Sequence, residues 1–245
     1  VAVSAAATVT ADAVARRLAE VRGRIEAAGG DPARVTVVAV TKGFGPDAVV
    51  AAGEAGIGDI GENYAQELAA KAAAVGGGVR WHFLGHLQRN KVRRIAHLVH
   101  LWQSVDRLEA GEEIARRSAA AGVLVQVNVT GEASKAGCGF EEVPALVARL
   151  RGLGLQVRGL MAVGPTPRPG GARAGAAAAE EARPGFRRLV AMADALDLPE
   201  RSMGMTDDLE VAVTEGSTMV RIGRALFGTR RAGRPGVPDP AHEGN

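Results

Sequence analysis

The chain has 245 residues, 47% hydrophobic and 23% charged, with a formal net charge of +3. That length suits one large α/β core, the composition is that of an ordinary soluble globular protein, and so small a positive excess makes no case for nucleic acid or membrane. A single cysteine, Cys138, excludes an intrachain disulfide and argues against a thiol–histidine metal cluster. No apolar run approaches the ~20 residues of a membrane span, and the N-terminal VAVSAAATV lacks a basic leader region, so the sequence reads as cytoplasmic.

Residues 1–10 read as a tail. The helix Ala11–Ala28 follows, with Val14, Leu18, Val21 and Ile25 at helical spacing and Gly29 and Gly30 to stop it. Val35–Gly43 (VTVVAVTKG) is then apolar on both faces, as in a strand buried within a parallel sheet, and it ends in Lys42. A lysine there keeps its stem in apolar packing, and a desolvated neutral amine can attack a carbonyl; the stretch taken alone reads first as a solvated lysine opening a loop, and the rest of the chain has to shift that reading.

From here short apolar runs alternate with amphipathic helices. Pro46 opens a helix to Ala55; Ile57–Gly61 precedes the helix Asn63–Val75; Arg80–Leu84 precedes Leu87–Ala96. Val99–Val105 is a strand, with Asp106 fitting the N-cap of a helix to Ala120; Val123–Val129 leads through a glycine-rich loop to the helix Phe140–Leu150. Leu155–Val163 is followed by Gly164–Gly175, which reads as a mobile loop, and by a helix over Ala177–Leu196 that Pro184 should interrupt. Arg201–Met205 and Thr218–Ile222 complete eight strands, with the helix Thr206–Glu215 between them and Gly223–Phe227 after; the tail 232–245 reads as disordered. Eight such units predict a single (β/α)8 TIM barrel over residues 11–231, and TKGFGPD after the first strand is not the glycine fingerprint of an open dinucleotide-binding sheet.

A barrel gathers the residues that follow its strands on one rim: Lys42, Gly61-Glu62-Asn63, Gly85-His86, Ser104, Asn128, Met161, Met205-Thr206 and Arg221-Ile222-Gly223. Thr206 before Asp207 and Asp208 is a natural N-cap, and Gly223 permits close backbone approach, so the seventh and eighth exits suit a phosphate. Each has an ordinary alternative: Thr206 and Asn63 as simple caps, Arg221 as a rim salt bridge. His82 reads as a packed strand histidine, and no histidine pair has zinc-site spacing. Lys135 competes as the reactive amine, but its polar GEASKAG context offers no desolvation.

AVTKG, GENYAQE, WHFLGHLQRNK, SVDR, SMGMTDDLEVAVTEGSTMVRIG and ALFG, spread from Val35 to Gly228, resemble the pyridoxal phosphate homeostasis protein family. The resemblance implies the barrel of the alanine racemase N-terminal domain without that enzyme's second, β-rich domain, and a monomer. It implies a Schiff base between Lys42 and pyridoxal 5′-phosphate. Thr206, where the family more often has serine, and the backbone amides of Ile222 and Gly223 would hold the phosphate, with Ser202 as a helper. Arg221 would face the pyridine nitrogen, Asn63 would lie near the cofactor, and Met161 near its ring. An arginine there keeps the nitrogen unprotonated and weakens the ring as an electron sink; the one tyrosine, Tyr64, falls at the start of a helix, so the second, opposed base that a racemase of this fold uses is missing. The expectation is a carrier that buffers and delivers the cofactor to apo forms of its enzymes, with no catalytic residue; an amino-acid racemase is the alternative.

Overall fold

The computed structural model describes residues 9–132, 135–165 and 172–229. Residues 1–8 of the expected N-terminal tail (1–10), the whole expected C-terminal tail (232–245) and the centre of the expected mobile loop (166–171) lie outside these. Eight parallel strands close in chain order: β1 (Thr36–Val40), β2 (Asp59–Glu62), β3 (Arg80–Phe83), β4 (Val99–Val105), β5 (Gly122–Gln126), β6 (Gln156–Met161), β7 (Glu200–Ser202) and β8 (Met219–Ile222), the last pairing back onto the first. The predicted (β/α)8 barrel is the fold.

Around it run α1 (Ala11–Ala27), α2 (Pro46–Glu54), α3 (Ala65–Val75), α4 (Arg89–Ile95), α5 (Leu108–Arg117), α6 (Val143–Gly152), α7 (Ala172–Ala195), α8 (Leu209–Thr214) and α9 (Arg224–Phe227). Thr10 caps α1 by accepting from the Ala13 amide, and the buried face of that helix is the expected Val14, Leu18, Val21 and Ile25. None of the described helices is long and apolar enough to cross a membrane.

Two cores result from the alternation of side chains along each strand. The larger lies between strands and helices and takes Ala39, Ile60, Trp102, Val123 and Ile222. The smaller fills the barrel axis with Val38, Leu101, Leu124, Met161 and Met219. Since Val38 faces the axis, the alternation carries Val40 and Lys42 inward as well. The lysine therefore leaves β1 on the side of the barrel mouth.

Four local expectations are corrected. Asp106 does not cap α5: its carboxylate takes the Arg107 guanidinium at 2.6 Å, and Arg107 occupies the cap position in extended conformation. Asn63 does not cap α3; Tyr64 stands there, without a side-chain cap. Thr206 does not cap α8: Asp208 accepts from the Met205 amide at 2.6 Å, which moves the helix start to Leu209 and leaves Thr206 in the loop above the barrel. Pro184 lies inside an unbroken α7, whose helical turns begin at Ala172 rather than Ala177. Pro184 and Glu180 are exposed, so the proline and the residue that loses its helical partner lie on the solvent side, while Ala179, Ala182, Phe186, Leu189 and Ala193 hold the helix against the barrel.

Candidate functional site

The strand ends open on a cavity of about 460 Å³ lined by Val40, Lys42, Asn63, Leu84, Met161, Val163, Thr206, Arg221 and Gly223, with Phe44, Met205, Asp207, Arg224, Gly228 and Thr229 toward the mouth. Such a volume, mostly apolar with a few convergent polar groups, is that of a small-molecule site. Lys42, Asn63, Met161, Thr206, Arg221 and Gly223 thus come together as the sequence predicts. Ile222 turns its side chain outward into the larger core, so only its backbone stands near the cavity.

Arg221 forms the floor. It is 5% exposed, and its NH1 donates to the carbonyl and the hydroxyl of Ser202 at 2.8 Å each, its NH2 to the Ala162 carbonyl at 2.7 Å. All of these acceptors are neutral, so Arg221 is not the rim salt bridge of the ordinary reading. Burial brings its guanidinium down to about 10, against the attraction of Asp208, which still leaves it charged at neutral pH.

Ser202 is fully buried beneath this floor and does not line the cavity. The expectation of a phosphate helper meets a different arrangement: the Ser202 hydroxyl donates to Gln103 Oε1 at 2.7 Å, and Gln103 Nε2 lies 2.7 Å from His82 Nδ1. His82 Nε2 is in turn 3.0 Å from Asp59. A buried polar chain thus runs down the barrel from Arg221 to Asp59. His82 is the packed strand histidine of the sequence reading, and among the described residues no group of acidic, histidine or cysteine side chains could hold a metal ion.

Thr206, Gly223 and Arg224 form the opposite wall. The Ala225 amide donates to Thr206 Oγ1 at 3.4 Å, and Arg24 of α1 donates to the Thr206 carbonyl at 2.8 Å while pairing with Glu210. The loop is therefore held from both sides. Arg224 pairs with Asp207, offsetting a carboxylate that would otherwise repel an anion here.

Ser104 and Asn128 serve structure. Ser104 donates to the Gly85 carbonyl, and Asn128 organises the loop after β5 through its contacts with Thr130, Gly131 and Glu132. Lys135 is not solvated as its context suggested: its side chain is 16% exposed, donating to the Gly164 carbonyl at 3.0 Å and pairing with Glu132. It does not line the cavity. Tyr64 borders a separate depression with Gln66, Asn90, Lys91 and Arg94.

Sequence reasoning missed Arg224, whose signal was its position next to Gly223, and Val40 and Leu84, two residues from Lys42 and His82 on inward faces. Gln103 also went unnoticed, though a glutamine inside the strand VHLWQSV is a buried amide that needs partners.

The cavity, the lysine at β1 and the closed barrel define a class. The family model described as alanine racemase, N-terminal domain, matches residues 9–231. A pyridoxal phosphate homeostasis protein of Pseudomonas aeruginosa is 43% identical over 233 residues, covering 92% of this chain and 97% of its own. Its counterpart in Escherichia coli K12 is 37% identical over 232 residues, covering 89% and 97%. PipY of Synechococcus elongatus, solved with pyridoxal phosphate bound, superposes with a TM-score of 0.74 at 31% identity, covering 88% of this chain and all of that one. The chain belongs to the pyridoxal phosphate homeostasis protein family.

Proposed function

We propose that this protein binds pyridoxal 5′-phosphate through Lys42 and serves its homeostasis, buffering the cofactor and delivering it to apo-enzymes without turning over a substrate. The observation that carries the reading is the placement of Lys42 and the charged, neutrally ligated Arg221 on one apolar cavity, with Thr206 and Gly223 on its far wall. The residues present fit the group. Arg221 is a buried donor suited to an unprotonated ring nitrogen, Val40, Leu84 and Met161 suit the ring, and Asn63 stands beside it. On the far wall the Thr206 hydroxyl, the Ile222 and Gly223 backbone and Arg224 suit the phosphate. When bound, the cofactor supplies an aldehyde whose carbon takes the amine nitrogen, a C=N bond forming as water leaves.

The make-up of the cavity supports the carrier over the racemase: racemases of this fold tolerate an arginine at the ring nitrogen but need a second base opposed to the lysine, and Tyr64 does not line this cavity. A guanidinium still charged at neutral pH gives the ring nitrogen no proton, so little charge can be drawn into the ring. Among the described residues the titratable side chains on the cavity are Lys42, Asp207, Arg221 and Arg224, and Asp207 is paired with Arg224. The proposal extends to a cytoplasmic monomer.

Titration of the purified protein with pyridoxal phosphate tests this. An absorbance band near about 420 nm should appear, borohydride should fix the adduct on Lys42, and Lys42→Ala should abolish both. A label elsewhere on the chain would overturn the site. Exchange of the α-proton of alanine or serine at enzyme-like rates would overturn the carrier and favour the racemase.

A further inference from the structure

Lys42 occupies the second position of a tight turn, and the cofactor reading says nothing of what holds that turn. The Phe44 amide donates to the Thr41 carbonyl at 3.0 Å, closing residues 41–44, and Gly43 takes φ +77°, a left-handed value that favours glycine. A cluster of charges packs under the turn from β2 and α3. Lys71 Nζ donates to the same Thr41 carbonyl at 2.8 Å and to Glu67 Oε2 at 2.8 Å, and it pairs with Glu62. Glu67 Oε2 accepts from the Gly43 amide at 2.9 Å, and Glu62 Oε1 from the Thr41 hydroxyl at 2.6 Å. The peptide groups on both sides of Lys42 are thus tied to one ammonium and its carboxylate.

The cluster is an expensive way to build a helix–strand contact. The side chains of Lys71 and Glu62 are 4% and 0% exposed, and buried ion pairs often stabilise a fold less than apolar residues of the same size would. What such a pair can supply is geometry, and here the backbone bonds of the three side chains fall on the Thr41 carbonyl, from Lys71, and on the Gly43 amide, to Glu67.

We propose that Lys71, Glu62 and Glu67 are positioning residues for Lys42: they fix the turn so that the amine meets the aldehyde carbon at bonding distance. The proposal rests on the cofactor reading above. It separates two quantities that a cavity residue would change together, the non-covalent hold on the phosphorylated ring and the formation of the covalent bond. A small displacement of a reacting atom lowers the second far more than the first.

The experiment uses the full chain, with pyridoxal 5′-phosphate and pyridoxine 5′-phosphate, which carries an alcohol in place of the aldehyde, as paired probes. Glu67→Ala should weaken apparent aldehyde affinity, read from the absorbance band, about tenfold or more while changing the dissociation constant of the alcohol less than about twofold. Glu67→Gln should restore the aldehyde affinity, because its amide oxygen still accepts from Gly43. The double variant Lys71→Met/Glu62→Gln removes both charges together and should repeat the Glu67→Ala pattern. Equal losses for the two probes, no loss for the aldehyde, or no difference between Glu67→Ala and Glu67→Gln would overturn the positioning role. Absence of the band in the parent protein would instead overturn the cofactor reading, and this proposal with it.

Discussion

Arg221 and Ser202 are joined twice, the guanidinium NH1 reaching both the carbonyl and the hydroxyl of the serine at 2.8 Å. The hydroxyl spends its own proton on Gln103 at 2.7 Å, so one buried oxygen links the cavity floor to the amide chain inside the barrel. Ser202→Ala leaves Gln103 Oε1 without this donor but keeps the carbonyl contact. It should lower stability by about 1–3 kcal/mol, read from urea midpoints, and weaken cofactor binding far less than Arg221→Gln does.

Gly85 and Asn63 are a second such pair. A Cβ on residue 85 would stand 1.8 Å from the Asn63 carbonyl oxygen, a backbone atom that cannot rotate away. Gly85→Ala should therefore cost about 3 kcal/mol or more and displace Asn63 from the cavity, reducing both the melting temperature and cofactor affinity. Gly23, exposed in the middle of α1 with open space around it, is the control: Gly23→Ala should stabilise by about 0.5–1 kcal/mol.

Asp59 links stability to pH at the other end of the barrel. Burial alone would raise its carboxyl, but hydrogen bonds from His82 and Arg80 reverse this and hold it well below the usual carboxylate range. Because the folded value lies below the unfolded one, the contribution is complete at neutral pH and is lost as the pH falls below about 5. Asp59→Asn should cost about 1 kcal/mol at pH 7, a figure discounted for the exposure of Arg80, and the gap from the parent should narrow in urea titrations at pH 3.

Cys138 should be chemically quiet. Burial first, and Glu142 second, push its thiol up to about 12, so at pH 8 only roughly one molecule in ten thousand carries the thiolate. Iodoacetamide should label the native protein far more slowly than the urea-unfolded chain, the rates being read by mass spectrometry.

The barrel was legible because its signals are local. Alternation in VTVVAVTKG and the helical spacing in α1 survive into the fold unchanged, and each strand end placed its neighbours on the rim. The misjudged positions turn on where each helix starts or continues, which a residue's own cap or break preference does not decide. Thr206 looks like a cap until Asp208 reaches back to Met205, and Pro184 looks like a break until its helix is seen to run on through it.

By itself the sequence determined the closed barrel and the face on which Lys42 leaves β1, because strand periodicity depends only on residue order. Only the tertiary structure decided that Ser202 supports Arg221 from below, and that Lys71 and Glu67 hold the turn around Lys42. Those contacts join strands and helices through buried polar atoms, whose partners are set by which donors and acceptors closure of the barrel leaves within reach of one another.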